Sequence, residues 1–306
     1  MAEIMTRGDF AKFLKNTLKR VVDKEAKQYT PQYPSLFDKE TTGDAFEEYI
    51  DVPGLSLVPV INEGEDMTYT KTRQGLLWRL TPMKYGKGVI CTEEMIDDCR
   101  FQNLPKWAKL LTRAYDKTRE TVGHNVYNRA FSTSYTTADG KALCATDHPR
   151  FGDGGTYSNR LATDVDLSEA ALEDMVYLIR NMRAEDGTIA SYQPRSVHIH
   201  FKEEFNAQRI LNPAAVERPG TGNRDINVIA VTRMFPGGLH VHAYFDDEDA
   251  WFVRTDVEDA MIYLERQAPK FDRNNEFRSK SLYFDIRGRY AFGTINPRAV
   301  AGTPGK

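Results

Sequence analysis

Leu104-Pro-Lys-Trp-Ala-Lys-Leu-Leu-Thr-Arg-Ala-Tyr-Asp-Lys-Thr-Arg-Glu-Thr-Val-Gly-His-Asn-Val-Tyr-Asn-Arg-Ala130 reads as one uninterrupted helix. Leu104, Ala108, Leu111, Tyr115, Thr118, Val122, Val126 and Ala130 recur at intervals of three and four and line one face. Pro105 sits where a helix tolerates proline, because the N–H it lacks would have no partner in the first turn. At a rise of about 1.5 Å per residue the stretch makes a rod of roughly 40 Å, more than twice the usual helix of about 11 residues. A rod of that length sets the dimension of a domain, and the rest of the chain is read outward from it.

Upstream, the period changes. Val58-Pro-Val60 and Met67-Thr-Tyr69-Thr alternate like strands, with glycines between the strand-like stretches that run to Ile90. Apolar content is thin and the charges are sorted: Glu63, Glu65 and Asp66 cluster near the first turn, while Lys71, Arg73, Arg79, Lys84 and Lys87 lie on the return half. A hairpin with so little to pack on a core is marginal alone, so it is expected either to lie solvated on the surface or to cross a neighbouring subunit. Thr92 then caps a short helix whose first turn carries Glu93 and Glu94, where the helix dipole favours acids.

Residues 7 to 25 place Phe10, Phe13, Leu14, Leu18, Val21 and Val22 on one helical face, with lysines and Arg20 on the other. From Tyr29 through Pro31, Pro34 and Asp38 to Gly43 follows a polar, proline-spaced stretch with periodicity for neither helix nor strand. An amphipathic helix on such a tether is an arm, which either folds back on its own body or needs a partner surface.

Beyond the long helix, residues 132 to 166 are rich in Ser, Thr, Gly and Asp and read as a long loop with short strands. An amphipathic helix runs from Asp166 or Ser168 to Ala184. Ser196-Val-His-Ile-His200 alternates like a strand, a helix follows near Glu203 to Leu211, and strands follow at Ile226 to Thr232 and Leu239 to Phe245. This middle section reads as a compact α/β unit. Two strands close the chain, Ala260 to Arg266 and Ser279 to Arg289, joined by the polar loop Asp272-Arg-Asn-Asn-Glu276. In the second, Leu282, Phe284 and Ile286 face one way and Tyr283, Asp285 and Arg287 the other, the mark of a half-buried antiparallel sheet.

A chain of 306 residues, 41% hydrophobic and 28% charged, has the composition of an ordinary globular protein with one large core or two modest ones. Its net charge of −3 argues against a protein that coats nucleic acid, whose footprint is basic. Cys91, Cys99 and Cys144 form no CxxC pair, which weighs against a disulfide framework or a thiolate metal site and for a reducing compartment. Charged residues interrupt the N-terminal apolar runs and no run of about 18 apolar residues occurs, so neither a signal peptide nor a membrane span is expected.

Chemistry is sparse. His198-Ile-His200 and His240-Val-His242 each place two imidazoles on one face of a strand, and if the strands were neighbours four could converge on a metal. No partner at the spacing of HExxH supplies a further ligand or a general base. Hydrogen-bonded or solvent-facing strand histidines are therefore the expectation, and a metal-dependent hydrolase an alternative. Cys144, near Asp147-His148-Pro149, has no evident cation or helix N-terminus to activate it. The glycines at 152, 154 and 155 match no phosphate loop or dinucleotide fingerprint, and Asp246-Asp-Glu-Asp249 lacks the alternate spacing of a calcium loop. No catalytic residue, metal or cofactor is expected.

The order of parts (arm, charged hairpin, long helix, α/β unit, terminal strands) resembles the HK97-fold capsid proteins of tailed phages. Lys84-Tyr-Gly-Lys-Gly-Val-Ile-Cys-Thr-Glu-Glu-Met-Ile-Asp-Asp98 is similar to the exit from their E-loop. Leu143-Cys-Ala-Thr-Asp-His-Pro149 with Gly155-Thr-Tyr-Ser-Asn-Arg-Leu161 resembles a segment of capsid subunits that include Mu-like head proteins, and Tyr290-Ala-Phe-Gly-Thr-Ile-Asn-Pro297 resembles their closing strand. The resemblance, over residues 45 to 300, implies an α+β capsid fold. In it the N-terminal arm takes residues 1–48, the E-loop 49–90, the P-domain with its spine helix and antiparallel sheet 91–131 and 251–306, and the A-domain 132–250. It further implies a non-enzymatic shell protein that assembles as pentamers and hexamers into an icosahedral head around double-stranded DNA, touched only non-specifically. Assembly would take place in the host cytoplasm, with a separate scaffolding protein and a portal as partners and a decoration protein left open. The expected contacts between subunits are Glu63, Glu65, Asp66, Lys71, Arg73 and Trp78 of the E-loop and Phe10, Phe13, Leu14 and Leu18 of the arm. An encapsulin-like nanocompartment, which shares the fold, is the nearer alternative.

Overall fold

The computed structural model describes residues 20, 21, 24, 28–50, 58, 60–64, 66, 67, 69, 75–92, 104–211, 216, 217, 224, 225, 228–275 and 281–306. Among them the strands, in chain order, are β1 Asp38–Thr41, β2 Glu47–Ile50, β3 Leu77–Leu80, β4 Met83–Cys91, β5 His148–Pro149, β6 Thr156–Tyr157, β7 Pro194–His200, β8 Val216–Glu217, β9 Arg224–Asp225, β10 Gly238–His242, β11 Trp251–Thr255, β12 Met261–Asn275, β13 Leu282–Thr294 and β14 Val300–Thr303. The helices are α1 Leu104–Asn128, α2 Glu169–Arg180, α3 Glu204–Leu211 and the single turn α4 Val228–Val231.

The long helix, α1, buries Ala108, Leu111 and Tyr115 as its spacing predicts, leaves Val122 and Val126 half-buried, and buries Tyr127, which the spacing did not single out. Four polar residues share that stripe, for Thr112, Asp116, Glu120 and His124 are buried as well. Thr118, expected on the apolar face, is exposed, and its hydroxyl donates to the Ala114 carbonyl one turn back.

Beneath α1 lies a sheet ordered β1–β12–β13–β4. β12 and β13 are antiparallel over most of their length, and β4 joins β13 with Met83 opposite Tyr290 and Cys91 opposite Leu282. Rings fill the space between helix and sheet: Tyr85 stacks on Tyr290 at 4.5 Å, Tyr263 on Phe292 at 4.7 Å, and Tyr33 tilts against Tyr263 at 5.0 Å. The tightest approach is at Gly288, where a β-carbon would lie 2.0 Å from the Tyr115 hydroxyl and 3.1 Å from the Gln267 carbonyl oxygen.

The stretch whose sequence reads as a loose tether enters this core. Tyr33, Leu36 and Phe37 are buried in it, and β1 pairs in parallel with β12, Asp38 opposite Ile262. A four-residue edge strand after one helical turn is too short to show a period, so the sequence conceals it. The part of the expected arm with Phe10, Phe13, Leu14 and Leu18 lies outside the described residues.

A second sheet runs β10–β7–β11–β14. One face, Val197, Ile199, Trp251, Val253 and Ala301, packs on Leu172, Met175 and Ile179 of α2, a helix capped by the Ser168 hydroxyl, which accepts the Ala171 N–H at 3.2 Å. The other face turns to the first core, which takes Phe252 and Val300. The sheet is a wall between two cores. That is why β11 is buried at every position and shows no polar alternation. Because β11 and β14 complete this sheet, it draws strands from both sides of the boundary expected after residue 250.

Other boundaries move for local reasons. Ile226 to Thr232 reads as a strand, yet α4 lies within it, burying Ile229 and leaving Val228 and Val231 exposed; β-branched residues favour strands only where a pleated surface receives them. Beside it β8 and β9 form a two-stranded ribbon. The helix expected to reach Ala184 stops at Arg180, and β12 continues through Asp272 to Asn275, where a loop was expected. Among the described residues no helix is long and apolar enough to cross a membrane.

Gly288→Ala is expected to lower subunit stability by about 1–3 kcal/mol, the usual cost of overpacking a filled site. The urea midpoint should fall with an unchanged slope; an unchanged midpoint would mean that the Tyr115 ring yields without cost.

Candidate assembly surface

β2 and β3 form the base of the expected hairpin, with Glu47 opposite Leu80 and Ile50 opposite Leu77. Arg79 Nε donates to Glu48 Oε1 at 2.7 Å, and its guanidinium lies 4.2 Å from the centre of the Phe46 ring. Beyond the base, none of the described residues from 58 to 69 is in a strand, despite the alternation there. Gly64, at φ +89°, completes the turn after Glu63 in a conformation that favours glycine. The tip is defined by exposure: Val58, Val60, Met67 and Tyr69 are 89%, 92%, 68% and 88% exposed. Glu63 and Asp66 are exposed beside them, while Glu65, Lys71 and Arg73 lie outside the described residues. Large apolar side chains left in water are the kind of surface at which proteins meet other molecules.

Trp78, expected among the contacts between subunits, is buried within its own subunit. It is 5% exposed and, with Leu80, Val122, Val126 and Phe292, lines a cavity of about 530 Å³ in its own subunit. Strand alternation turns it inward while Leu77 and Arg79 point out. Trp78→Ala is expected to cost about 3–5 kcal/mol in the isolated subunit, measured by urea unfolding. A loss confined to assembled material would return Trp78 to the contacts between subunits.

The two His-x-His triplets do become neighbours, since β10 and β7 run parallel with His240 opposite His198 and His242 opposite His200. A third contributor, His124, comes from α1. Ser196 Oγ is 2.8 Å from His198 Nε2, His198 Nδ1 is 3.0 Å from His242 Nε2, and His242 Nδ1 is 3.0 Å from His124 Nε2. His124 Nδ1 ends the line 2.8 Å from the Glu120 carbonyl oxygen. Every nitrogen of these three rings is engaged by another protein atom rather than aimed at a common point. Among the described residues no three metal-ligating side chains are grouped to hold an ion.

Burial keeps the line neutral. It pushes His124 down to about 4 and His242 down to about 2, and it holds His198 well below the usual imidazole range, with the nearby His242 adding to the effect. Imidazoles depressed in the folded state stabilise it fully above their ordinary value of about 6.5. As pH falls below that, the unfolded chain binds protons first and the advantage shrinks, by up to about 1.4 kcal/mol per pH unit for each ring. Urea midpoints are therefore expected to drop from pH 7 to pH 5, and to drop less in a His124→Gln/His242→Gln variant. A flat wild-type profile would contradict a neutral line.

The segment that resembles phage head proteins is a structural staple. His148 Nδ1 meets Asp139 Oδ2 at 2.6 Å and its Nε2 meets Asn159 Oδ1 at 3.0 Å. Asn159 Nδ2 donates to the carbonyls of Leu143, Pro297 and Val300 at 2.7, 2.9 and 2.9 Å, tying the long loop to the end of the chain. Cys144 is buried and its thiol is pushed up by burial, the opposite of an activated nucleophile.

Residues 79–302 match a family model described as phage capsid protein. None of the curated proteins matches this chain. In fold the chain is similar to a virus-like particle from Pyrococcus furiosus, at 12% identity, with 94% of this chain and 98% of that chain covered and a TM-score of 0.54. It is similar to the procapsid of bacteriophage JBD30, at 14% identity, with 97% and 75% covered and a TM-score of 0.53. It is also similar to the capsid of the native GTA particle, at 10% identity, with 89% of each chain covered and a TM-score of 0.56.

Proposed function

The chain belongs to the phage capsid protein family and is a shell-forming major capsid subunit, and from that premise we propose that its copies, grouped as pentamers and hexamers, close into an icosahedral head around double-stranded DNA. The observation that carries the reading is the loop tip: Val58, Val60, Met67 and Tyr69 stand in water on a base that the subunit itself holds firmly. A second copy supplies the missing cover. Glu63 and Asp66 at the same tip are the charged contacts of that interface, with Glu65, Lys71 and Arg73 completing it, and Phe10, Phe13, Leu14 and Leu18 of the arm bracing a neighbour.

Shells need many weak, reciprocal contacts, because association has to exceed its entropic cost only in sum while each contact stays reversible enough to correct errors. A small apolar tip with charges beside it suits that regime. The net charge of −3 gives DNA only non-specific contact with the shell. Assembly in the host cytoplasm would use a separate scaffolding protein and a portal, and a decoration protein could add to the outside. The role is structural rather than catalytic.

Electron microscopy of the protein expressed alone and with its neighbouring genes tests this. Wild type should give closed shells or free pentamers and hexamers, while a Val60→Glu/Tyr69→Glu variant should remain a folded subunit with unchanged urea stability and a large loss of assembled particles. Shells formed equally well by the variant, or a wild type monomeric under every condition, would overturn the proposal.

A further inference from the structure

The tautomers in the buried imidazole line are fixed by its last partner. A backbone carbonyl can only accept, so His124 Nδ1 donates to the Glu120 oxygen, and in a neutral ring its Nε2 must accept. His242 therefore donates from Nδ1 and accepts at Nε2, His198 does the same, and the Ser196 hydroxyl donates. All three rings are wholly buried or nearly so. The line points one way, from the second sheet through β10 into α1.

At its far end stands an acid. The Glu120 carboxylate, also wholly buried, has Oε2 3.5 Å from His124 Nδ1. Its two oxygens accept the backbone N–H groups of Gln32 and Tyr33 at 2.9 and 3.0 Å, and so anchor the leading segment on α1.

We propose that this line is a one-proton acceptor coupling the second sheet to the anchor of the leading segment: a single added proton reverses its direction and comes to rest on His124, against the Glu120 carboxylate.

The proton enters at His198 Nε2, beside Ser196. His198 passes its Nδ1 proton to His242 Nε2, and His242 passes its Nδ1 proton to His124 Nε2. His124 keeps its Nδ1 proton and becomes the imidazolium. Ser196, its hydroxyl hydrogen rotated away, now accepts from His198 Nε2–H. The three hydrogen bonds from Ser196 to His124 survive with donor and acceptor exchanged, the bond from His124 Nδ1 to the Glu120 carbonyl is unchanged, and no bond between heavy atoms changes.

The surroundings explain why the charge stops at His124. His198 is stacked on His240 at 5.0 Å and feels Arg254 of β11, a cation paired with Asp38 at 2.8 Å. His242 lies between His124 and His198, and among the described residues its electrostatic neighbours are the imidazoles His124 and His240. His124, packed on the Tyr244 ring at 5.4 Å, has the carboxylate one turn away on its own helix. Glu120 also faces Arg119 and the Tyr29 phenol: burial pushes its carboxyl up, while the N–H groups of Gln32 and Tyr33, the phenol and the Arg119 charge favour its ionised form. An imidazolium draws the carboxylate toward itself, in competition with the N–H groups of Gln32 and Tyr33. Proton uptake thereby loosens the leading segment. This holds for the single subunit, whether or not shells form.

Nitrogen NMR of the full chain, labelled at histidine and followed downward from pH 7, tests it. His124, His198 and His242 should begin as Nδ1–H tautomers. His198 and His242 should then convert to Nε2–H forms in one step, with the same midpoint as the charging of His124, and hydrogen exchange at the Gln32 and Tyr33 amides should accelerate across it. In His242→Gln, which keeps a donor and an acceptor but relays no proton, His198 should remain Nδ1–H. In Glu120→Gln the midpoint should move to lower pH by roughly 1–3 units, the effect of removing an opposite charge at this distance. If His198 and His242 hold their Nδ1 protons until the chain unfolds, or if the three rings titrate at separate midpoints, the proposal fails. Both of those outcomes are read in the wild-type chain and need no variant to fold.

Discussion

β11 buries its side chains alternately into two cores, and the arrangement of the subunit follows from that strand. Trp251 and Val253 fill the space under α2, while Phe252 reaches the core under α1. Arg254, next along the first-core face, donates to the Ser35 carbonyl at 3.1 Å and pairs with Asp38, fastening the leading segment to the same wall. Helix, sheet and leading segment therefore share one buried boundary and cannot slide independently without opening a close-packed interior. The imidazole line crosses that boundary too, where an apolar pair would have served packing equally well but could not have moved a proton.

Against so tied a body the loop tip is the exception. Its base is paired strand to strand and lined by Trp78, yet its apolar residues lie in water. Removing a side chain of that size from water stabilises by about 1.5–3 kcal/mol, so several of them on one projecting segment represent a large gain that the lone subunit leaves unrealised. On the proposed assembly that gain has a physical outlet, since the same tip would recur on every copy.

Much of this was legible in the sequence because it is periodic. α1 begins at the residue its spacing indicates, β7 and β10 overlap the strands that alternation indicates, α3 matches the helix read near Glu203 to Leu211, and β12 and β13 begin near the expected terminal strands but run on past their expected ends. What escaped has specific causes. β11 opens with three apolar residues and is buried throughout, so it carries no alternation; β1 is four residues at a sheet edge; Trp78 turns inward between the outward-facing Leu77 and Arg79, which a reading by segment does not resolve. The imidazole line was half visible. The two triplets announced a shared strand face, but Glu120 and His124, four apart on a helix, look like an ordinary solvated pair. His124 lies one turn and Glu120 two turns before the buried Tyr127, and that shared face was the available sign that they turn inward.

Hydrogen exchange at residues 58 to 69, compared between free subunits and assembled shells, tests most directly whether the loop owes its order to other copies. Exchange close to that of an unfolded chain in the free subunit, slowed many-fold in the shell, is the expected pair of results. Equal protection in both states would mean that the subunit already covers its own tip, and rapid exchange in both would mean that no neighbour does.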